Sequence, residues 1–154
     1  MVTILAAHAE PQLAQIKVLF LEYIAALGFH LTFQDVDREM SELPGRYAPP
    51  EGRILIAELD GQVAGCVAMK KLLEGVCEMK RFYVRPAFRG HGIGRKLAEA
   101  IIAEARAARY QRMCLDTVPS MQAAMALYET LGFKDGEPYV VNPVPGARFM
   151  ELVL

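Results

Sequence analysis

Apolar positions change their spacing several times along the chain, and each change marks an element. Val2 to Ala7 reads as a first strand. Leu13, Ile16, Leu19, Phe20, Tyr23, Ile24 and Leu27 then recur at helical spacing, which predicts a helix over Pro11 to Leu27 with Pro11 in its first turn and Gly28 at its stop. Phe33 to Leu43 is a weaker helix closed by Pro44-Gly45, and Arg46 to Gly52 reads as loop. Three strands follow. Arg53 to Glu58 runs into Asp60-Gly61, a two-residue hairpin signal; Gln62 to Leu72 returns; and beyond Glu74-Gly75, Val76 to Val84 makes a third strand closed by Arg85-Pro86. After Gly92 the period becomes helical again, with Ile93, Leu97, Ile101, Ala105 and Ala108 on one face. Arg112 to Val118 reads as a buried strand. Ser120 is the expected N-cap of a helix over Met121 to Leu131, with Gly132 as its left-handed terminator. A final strand region begins at Phe133, and Phe149 to Leu154 is the last strand. The order β-α-α-β-β-β-α-β-α-β-β predicts a mixed α/β layered fold, an α+β arrangement in one domain spanning residues 1–154.

Composition adds a full core, since 53% of residues are apolar by the broad count. The net charge of -1 gives no general reason to expect nucleic acid or an anionic membrane as partner. The first residues do not read as a secretion signal, and the apolar runs fall short of a membrane span. Cys66, Cys77 and Cys114 each sit in an apolar run without CxxC spacing, which reads as buried free thiols with no metal site, in a reducing, cytoplasmic setting.

The chemistry concentrates where the third strand ends. Arg89-Gly90-His91-Gly92-Ile93-Gly94-Arg95 joins that strand to a helix. Glycines let the backbone approach a ligand and turn its N–H groups toward one point, and the helix start adds unpaired N–H groups with partial positive charge. That is an anion site suited to a pyrophosphate, with Arg89 and Arg95 able to add charge-assisted hydrogen bonds. The other reading is a tight strand-to-helix turn without ligand. A dinucleotide fingerprint is disfavoured, because the glycine spacing is GxGxG and a meander precedes it. No Walker-type GxxxxGK[ST] is present.

Phe82-Tyr83-Val84-Arg85-Pro86 followed by Arg89, Gly92 and Gly94 resembles the acetyl-CoA motif, [RQ]xxGx[GA], of the GCN5-related N-acetyltransferase (GNAT) family. A second signature follows at Ala124, Leu127-Tyr128 and Leu131-Gly132-Phe133. The resemblance covers Arg53 to Leu154, and the element order agrees from the N-terminus. It implies a mostly antiparallel central sheet flanked by helices. The strands Val76–Val84 and Arg112–Val118 would splay apart so that the pantetheine arm of coenzyme A fills the gap. Backbone groups of Phe82 and Val84, with Tyr83 between them, would meet that arm, and Arg89, Gly90, His91, Gly92, Ile93, Gly94 and Arg95 would hold the pyrophosphate. Many members have Asn seven residues before the motif tyrosine; here Met121 stands there, and Ser120 or nearby backbone is the candidate substitute.

The resemblance also implies roles in catalysis. Tyr128 matches the tyrosine near the coenzyme sulfur, where a phenol can protonate the leaving thiolate; its alternative is core packing. Glu78 matches the glutamate base of the histone-modifying branch, and strand alternation without a bulge puts it on the face of Val76 and Phe82. Its alternative is a salt bridge with Lys70 or Lys80. The Phe82 N–H is the implied oxyanion donor.

On the acceptor side, His30 lies between the first two helices, and Tyr139 and Asn142 lie in a loop stiffened by Pro138, Pro143 and Pro145. Each is a candidate substrate contact or a plain loop residue. Arg38, Arg46 and Tyr47 could bind an acceptor carboxylate or be ordinary surface groups. The expected activity is acetyl transfer from acetyl-CoA to a primary amine of a small polar molecule, by direct attack in a ternary complex. A peptide or protein amine, or a non-catalytic acyl-CoA-binding module, is the competing reading. A homodimer is plausible by family habit.

Overall fold

The computed structural model describes residues 1–27 and 33–154. Its strands are β1 (Val2–Ala6), β2 (Arg53–Leu59), β3 (Gln62–Leu73), β4 (Val76–Val84), β5 (Arg112–Thr117), β6 (Lys134–Asp135) and β7 (Arg148–Val153). Its helices are α1 (Gln12–Ala26), α2 (Phe33–Glu42), α3 (Ile93–Ala107) and α4 (Gln122–Thr130). All seven strands join one sheet in the order β1-β2-β3-β4-β5-β7-β6. Neighbours are antiparallel except β4 and β5, which run parallel because α3 crosses between them.

The continuous apolar runs of β2 and β3 follow from burial on both faces. Leu55, Ala57, Val67 and Met69 pack against Ile93, Leu97 and Ile101 of α3. The alternate residues Ile54, Ile56, Cys66 and Ala68 pack against Leu13, Ile16, Leu19 and Phe20 of α1. Helix α3 therefore covers one face and α1 the other. All three cysteines are buried free thiols.

Two local expectations are corrected. The first concerns Glu78, whose strand carries a bulge. Cys66 pairs with Tyr83 and Ala68 with Lys80, so Val67 stands opposite both Arg81 and Phe82. Arg81 takes up the extra residue at φ 57. Alternation is interrupted there. Cys77, Met79 and Phe82 pack on the α3 side, whereas Tyr83 packs on the α1 side. Glu78 lines a cavity on that α1 side with Lys80 and Arg81, so it does not share the face of Phe82.

The second correction concerns Ser120. Helix α4 starts at Gln122, with Met121 at the cap position and no side-chain cap bond. The chain first makes a turn closed by Met121 N–H to the Val118 carbonyl (2.9 Å), which leaves Ser120 one residue too early to cap.

Candidate active site

The site is built where β4 and β5 separate. They pair only over Val76–Glu78 and Arg112–Cys114. Beyond Glu78, the β5-facing edge of β4 has no strand partner among the described residues, and a narrow cavity of about 40 Å³ opens between Met79–Phe82 and Leu115–Thr117. Met121 and Tyr128 close its α4 side.

At the outer end of this cleft β4 passes through a short 3-10 turn, Pro86–Phe88, into the glycine segment. Gly90 and Gly92 have φ of 88° and 74°, and Gly92 is the left-handed residue immediately before α3. Intrahelical bonding starts with Lys96 N–H to the Gly92 carbonyl (3.2 Å), which leaves the N–H groups of Ile93, Gly94 and Arg95 at the open helix end. The Ile93 side chain is buried in the α3 core, so only its backbone faces this end. At Gly94 an added Cβ would stand 3.3 Å from Phe82 Cζ, so its lack of a side chain lets α3 sit tightly on β4. Arg89 folds back, its Nε donating to the Val84 carbonyl (3.1 Å). His91 is exposed, and Arg95 donates to Thr130 Oγ1 (3.4 Å). Tyr83 turns away from the cleft and donates its hydroxyl to Glu22 (3.3 Å), leaving its backbone as the part able to meet a ligand.

Tyr128 is buried between Phe82 and Phe133, with ring centroids 5.8 and 5.6 Å away. Burial pushes its phenol well above the ordinary range. Thr117 Oγ1, on the opposite wall, is buried with no hydrogen-bond partner among the described residues.

A larger cavity of about 630 Å³ opens on the α1 side and shares Tyr23, Lys80, Arg81, Asp116, Thr117 and Met121 with the narrow one. Glu78 is on its wall, only 3% exposed. Its Oε2 accepts the Tyr139 hydroxyl (2.8 Å), and Lys70 and Lys80 stand 4.0 and 3.9 Å from its two oxygens. Burial, then the charge of Glu78, pushes the Tyr139 phenol up. Tyr139 is also braced edge-on against Phe149. Asn142 Nδ2 donates to Asp116 Oδ2 (3.0 Å), and Asn142 Oδ1 accepts the Val144 N–H. The proline-rich loop is thus tied to both β4 and β5. The floor is a part-buried network: Arg81 meets Glu39 at 2.9 Å, and the Tyr47 hydroxyl donates to the same carboxylate (2.9 Å).

The structure brings Glu78 and Asn142 to the lining of one cavity, with Tyr139 hydrogen-bonded to Glu78, and places Tyr128 on the adjoining one. His30 lies outside the described residues. Of the three groups considered for a carboxylate, Tyr47 is spent on Glu39 and Arg38 on Glu42 (3.1 Å), while Arg46 still lines the cavity. Thr117 and Asp116 went unnoticed in the sequence. Both sit at the end of an apolar strand, and only the divergence of β5 from β4 exposes them to the cleft.

The unpaired β4 edge, the open end of α3 and the orphaned Thr117 hydroxyl suit a ligand that carries a pyrophosphate and an amide-bearing arm. These features define an acyltransferase built around coenzyme A. The chain belongs to the acetyltransferase (GNAT) family, whose family model matches residues 18–133. It is 40% identical to an uncharacterised N-acetyltransferase of Schizosaccharomyces pombe, over 98% of this chain and 94% of that protein. An acetyltransferase from Streptococcus agalactiae has the same fold, with a TM-score of 0.74 at 26% identity over 99% of this chain and 98% of that one. The PaiA N-acetyltransferase from Thermoplasma acidophilum, solved with coenzyme A, shares the fold with a TM-score of 0.76 at 14% identity, covering 100% of this chain and 99% of that one. The chain is an acetyl-CoA-dependent N-acetyltransferase.

Proposed function

We propose that the chain transfers the acetyl group to a primary amine of a small polar molecule, by direct attack in a ternary complex. The observation that carries this reading is the 630 Å³ cavity beside Glu78, continuous in its lining with the cleft and walled by Val140–Pro143. The loop tied down by Tyr139 and Asn142 forms one wall of this cavity, whose volume suits a small acceptor.

Acetyl-CoA supplies an acetyl group activated as a thioester. The backbone of Ile93, Gly94 and Arg95, with Arg89, Gly90, His91 and Gly92, holds its pyrophosphate. Phe82, Tyr83 and Val84 present backbone to its arm, and Thr117 Oγ1 offers the hydrogen bond that Met121 lacks. Glu78 takes the proton from the acceptor amine, with Tyr139 fixing its carboxylate. The Phe82 N–H, beside the bulge at Arg81, donates to the acetyl oxygen. Tyr128, kept protonated by burial, supplies the proton that sulfur takes up. The residues 1–154 act together as one domain in this scheme.

Coenzyme A should raise the melting temperature by mass action. A thiol-release assay over small amines and short peptides then tests the acceptor. Turnover confined to peptides would reject the small-molecule reading, and no melting shift at millimolar coenzyme A would reject the cofactor site assignments.

A further inference from the structure

The charges lining the acceptor cavity do not cancel locally. Arg81 is matched by Glu39 and Arg38 by Glu42. This leaves Lys70, Lys80 and the nearby Arg46 against two carboxylates, Glu78 on the same wall and Asp116 on β5, which the neutral Asn142 amide hydrogen-bonds without cancelling its charge. The arrangement follows from strand register. Lys70 stands directly across from Glu78, and Lys80 is two residues further along on the same face. Their ammonium groups lie 4.0 Å from Oε1 and 3.9 Å from Oε2, too far for hydrogen bonds, while Tyr139 takes the close approach to Oε2. Arg46 Nη2 is held on the Lys71 carbonyl (2.8 Å) and has no carboxylate within ion-pair reach among the described residues.

Two of these cations act on the third. The pKa of Lys70 is lowered first by burial, then by the charge of Lys80, with Arg46 acting in the same sense and Glu78 opposing. Cations gathered in a partly buried cavity are poorly hydrated, and a bound anion would supply the missing partner. A carboxylate suits these donors, because its two oxygens can accept charge-assisted hydrogen bonds from ammonium and guanidinium groups.

We propose that Lys70, Lys80 and Arg46 form a carboxylate subsite, and that the acceptor is the α-amino group of a free amino acid. The inference rests on the proposal that this cavity holds an amine acceptor. Glu78 sits between the two lysines, so a carboxylate held by them brings an amine on the adjacent carbon beside the proton acceptor. The acceptor's side chain then runs toward the apolar lining of Val36, Leu43, Val118 and Val140. In the transfer, nitrogen gains the bond to the acetyl carbon as the carbon–sulfur bond breaks. Glu78 accepts the proton nitrogen sheds, Tyr128 supplies the one sulfur gains, and the carboxylate is unchanged.

The test uses the whole chain with acetyl-CoA and the twenty common amino acids, each compared with its amide and its decarboxylated amine. At least one free amino acid should be acetylated with kcat/KM ~10–100-fold above its two counterparts, carried mainly by KM. The amide has the less basic amine, so amine ionisation cannot produce the preference over the amide, which is the deciding comparison. Calorimetric binding to the complex with coenzyme A should show the same ranking. Lys70→Met and Lys80→Met should each draw the acid-to-amide ratio toward one, and Lys70→Arg should restore part of it. Equal or better use of the amide or the decarboxylated amine overturns the proposal, as does a ratio that both methionine variants leave intact. Acetylation confined to amines without a carboxylate removes the subsite but leaves the small-amine activity standing. Failure to acetylate any member of the panel, with coenzyme A still bound, removes both.

Discussion

The Tyr139 hydroxyl donates to the Glu78 carboxylate at 2.8 Å, across 61 residues of sequence. This bond ties the loop that walls the acceptor cavity to the residue proposed to take the acceptor's proton. Tyr139 itself is fixed by its edge-on contact with Phe149, at 5.5 Å between ring centroids. The orientation of Glu78 is therefore set from β7 as well as from its own strand.

Replacing the bond partner tests that coupling. Tyr139→Phe keeps the ring and removes the donor, so kcat should fall ~10-fold, as for loss of one hydrogen bond to a charged group, with the KM for acetyl-CoA unchanged. Glu78→Gln should cost ~100-fold or more if Glu78 is the base. In the Glu78→Gln background, Tyr139→Phe should add little, because the two act through one carboxylate. Steady-state kinetics on the four proteins decide this. Fully additive losses would show that the hydroxyl acts elsewhere.

Much of this architecture is legible in the chain. Ile54–Ala57 and Ala64–Met69 read as strands because each buries both faces, and Ile93, Leu97 and Ile101 mark the helix that covers one of them. The glycine segment announces itself because left-handed backbone at Gly90 and Gly92 has few other occupants. The bulge at Arg81 is hidden for the opposite reason. Arginine is no signal for positive φ, and the strain of that position is offset by its part-buried pair with Glu39 on α2, a contact made across the fold. The grouping of Lys70 with Lys80 around Glu78 is likewise invisible until the β3–β4 register is known, since a one-residue slip would send Lys70 to the other face.

Gly92 offers a test of the phosphate end. An added Cβ there meets nothing within 4 Å, so the cost of a side chain is conformational, not steric crowding. At φ 74°, Gly92→Ala should lose ~1–2 kcal/mol, the penalty of left-handed backbone for an L-residue. Asparagine tolerates that conformation better, so Gly92→Asn should melt closer to the parent. Thermal melts with and without coenzyme A check both points. Equal losses for Ala and Asn would mean that φ is not what the position requires.

Thr117 separates stability from binding. Its buried hydroxyl has no partner among the described residues, so Thr117→Val removes an unmet polar group at nearly constant shape. The variant without cofactor should melt at or above the parent temperature. If the hydroxyl is reserved for the coenzyme A arm, affinity for coenzyme A should drop ~10-fold, the value of about one hydrogen bond. Calorimetry and melting curves together give the answer. Unchanged affinity would leave Met121 without a substitute on this wall.

The last test concerns how α1 is held beside the cofactor loop. Arg85, one residue before Pro86, makes a two-pronged contact with Glu22 of α1, through Nε to Oε1 (3.0 Å) and Nη2 to Oε2 (2.8 Å), and its Nη1 donates to the Val63 carbonyl (3.1 Å). The Arg85 hydrogen bond holds the Glu22 pKa below its ordinary value of 4.5. Just below that pH the unfolded chain takes up the proton first, so it binds more protons than the folded state and stability falls as pH drops toward the lowered value. Above pH 4.5 the contribution is fully present. Glu22→Gln should therefore be less stable than the parent at pH 7, and the gap should close as pH falls through the folded-state pKa of Glu22. Urea unfolding of both proteins between pH 7 and pH 3 measures that gap, and added salt should narrow it because the pair is partly exposed. A gap that stays constant across the whole range would show that the Glu22 charge contributes nothing to anchoring α1.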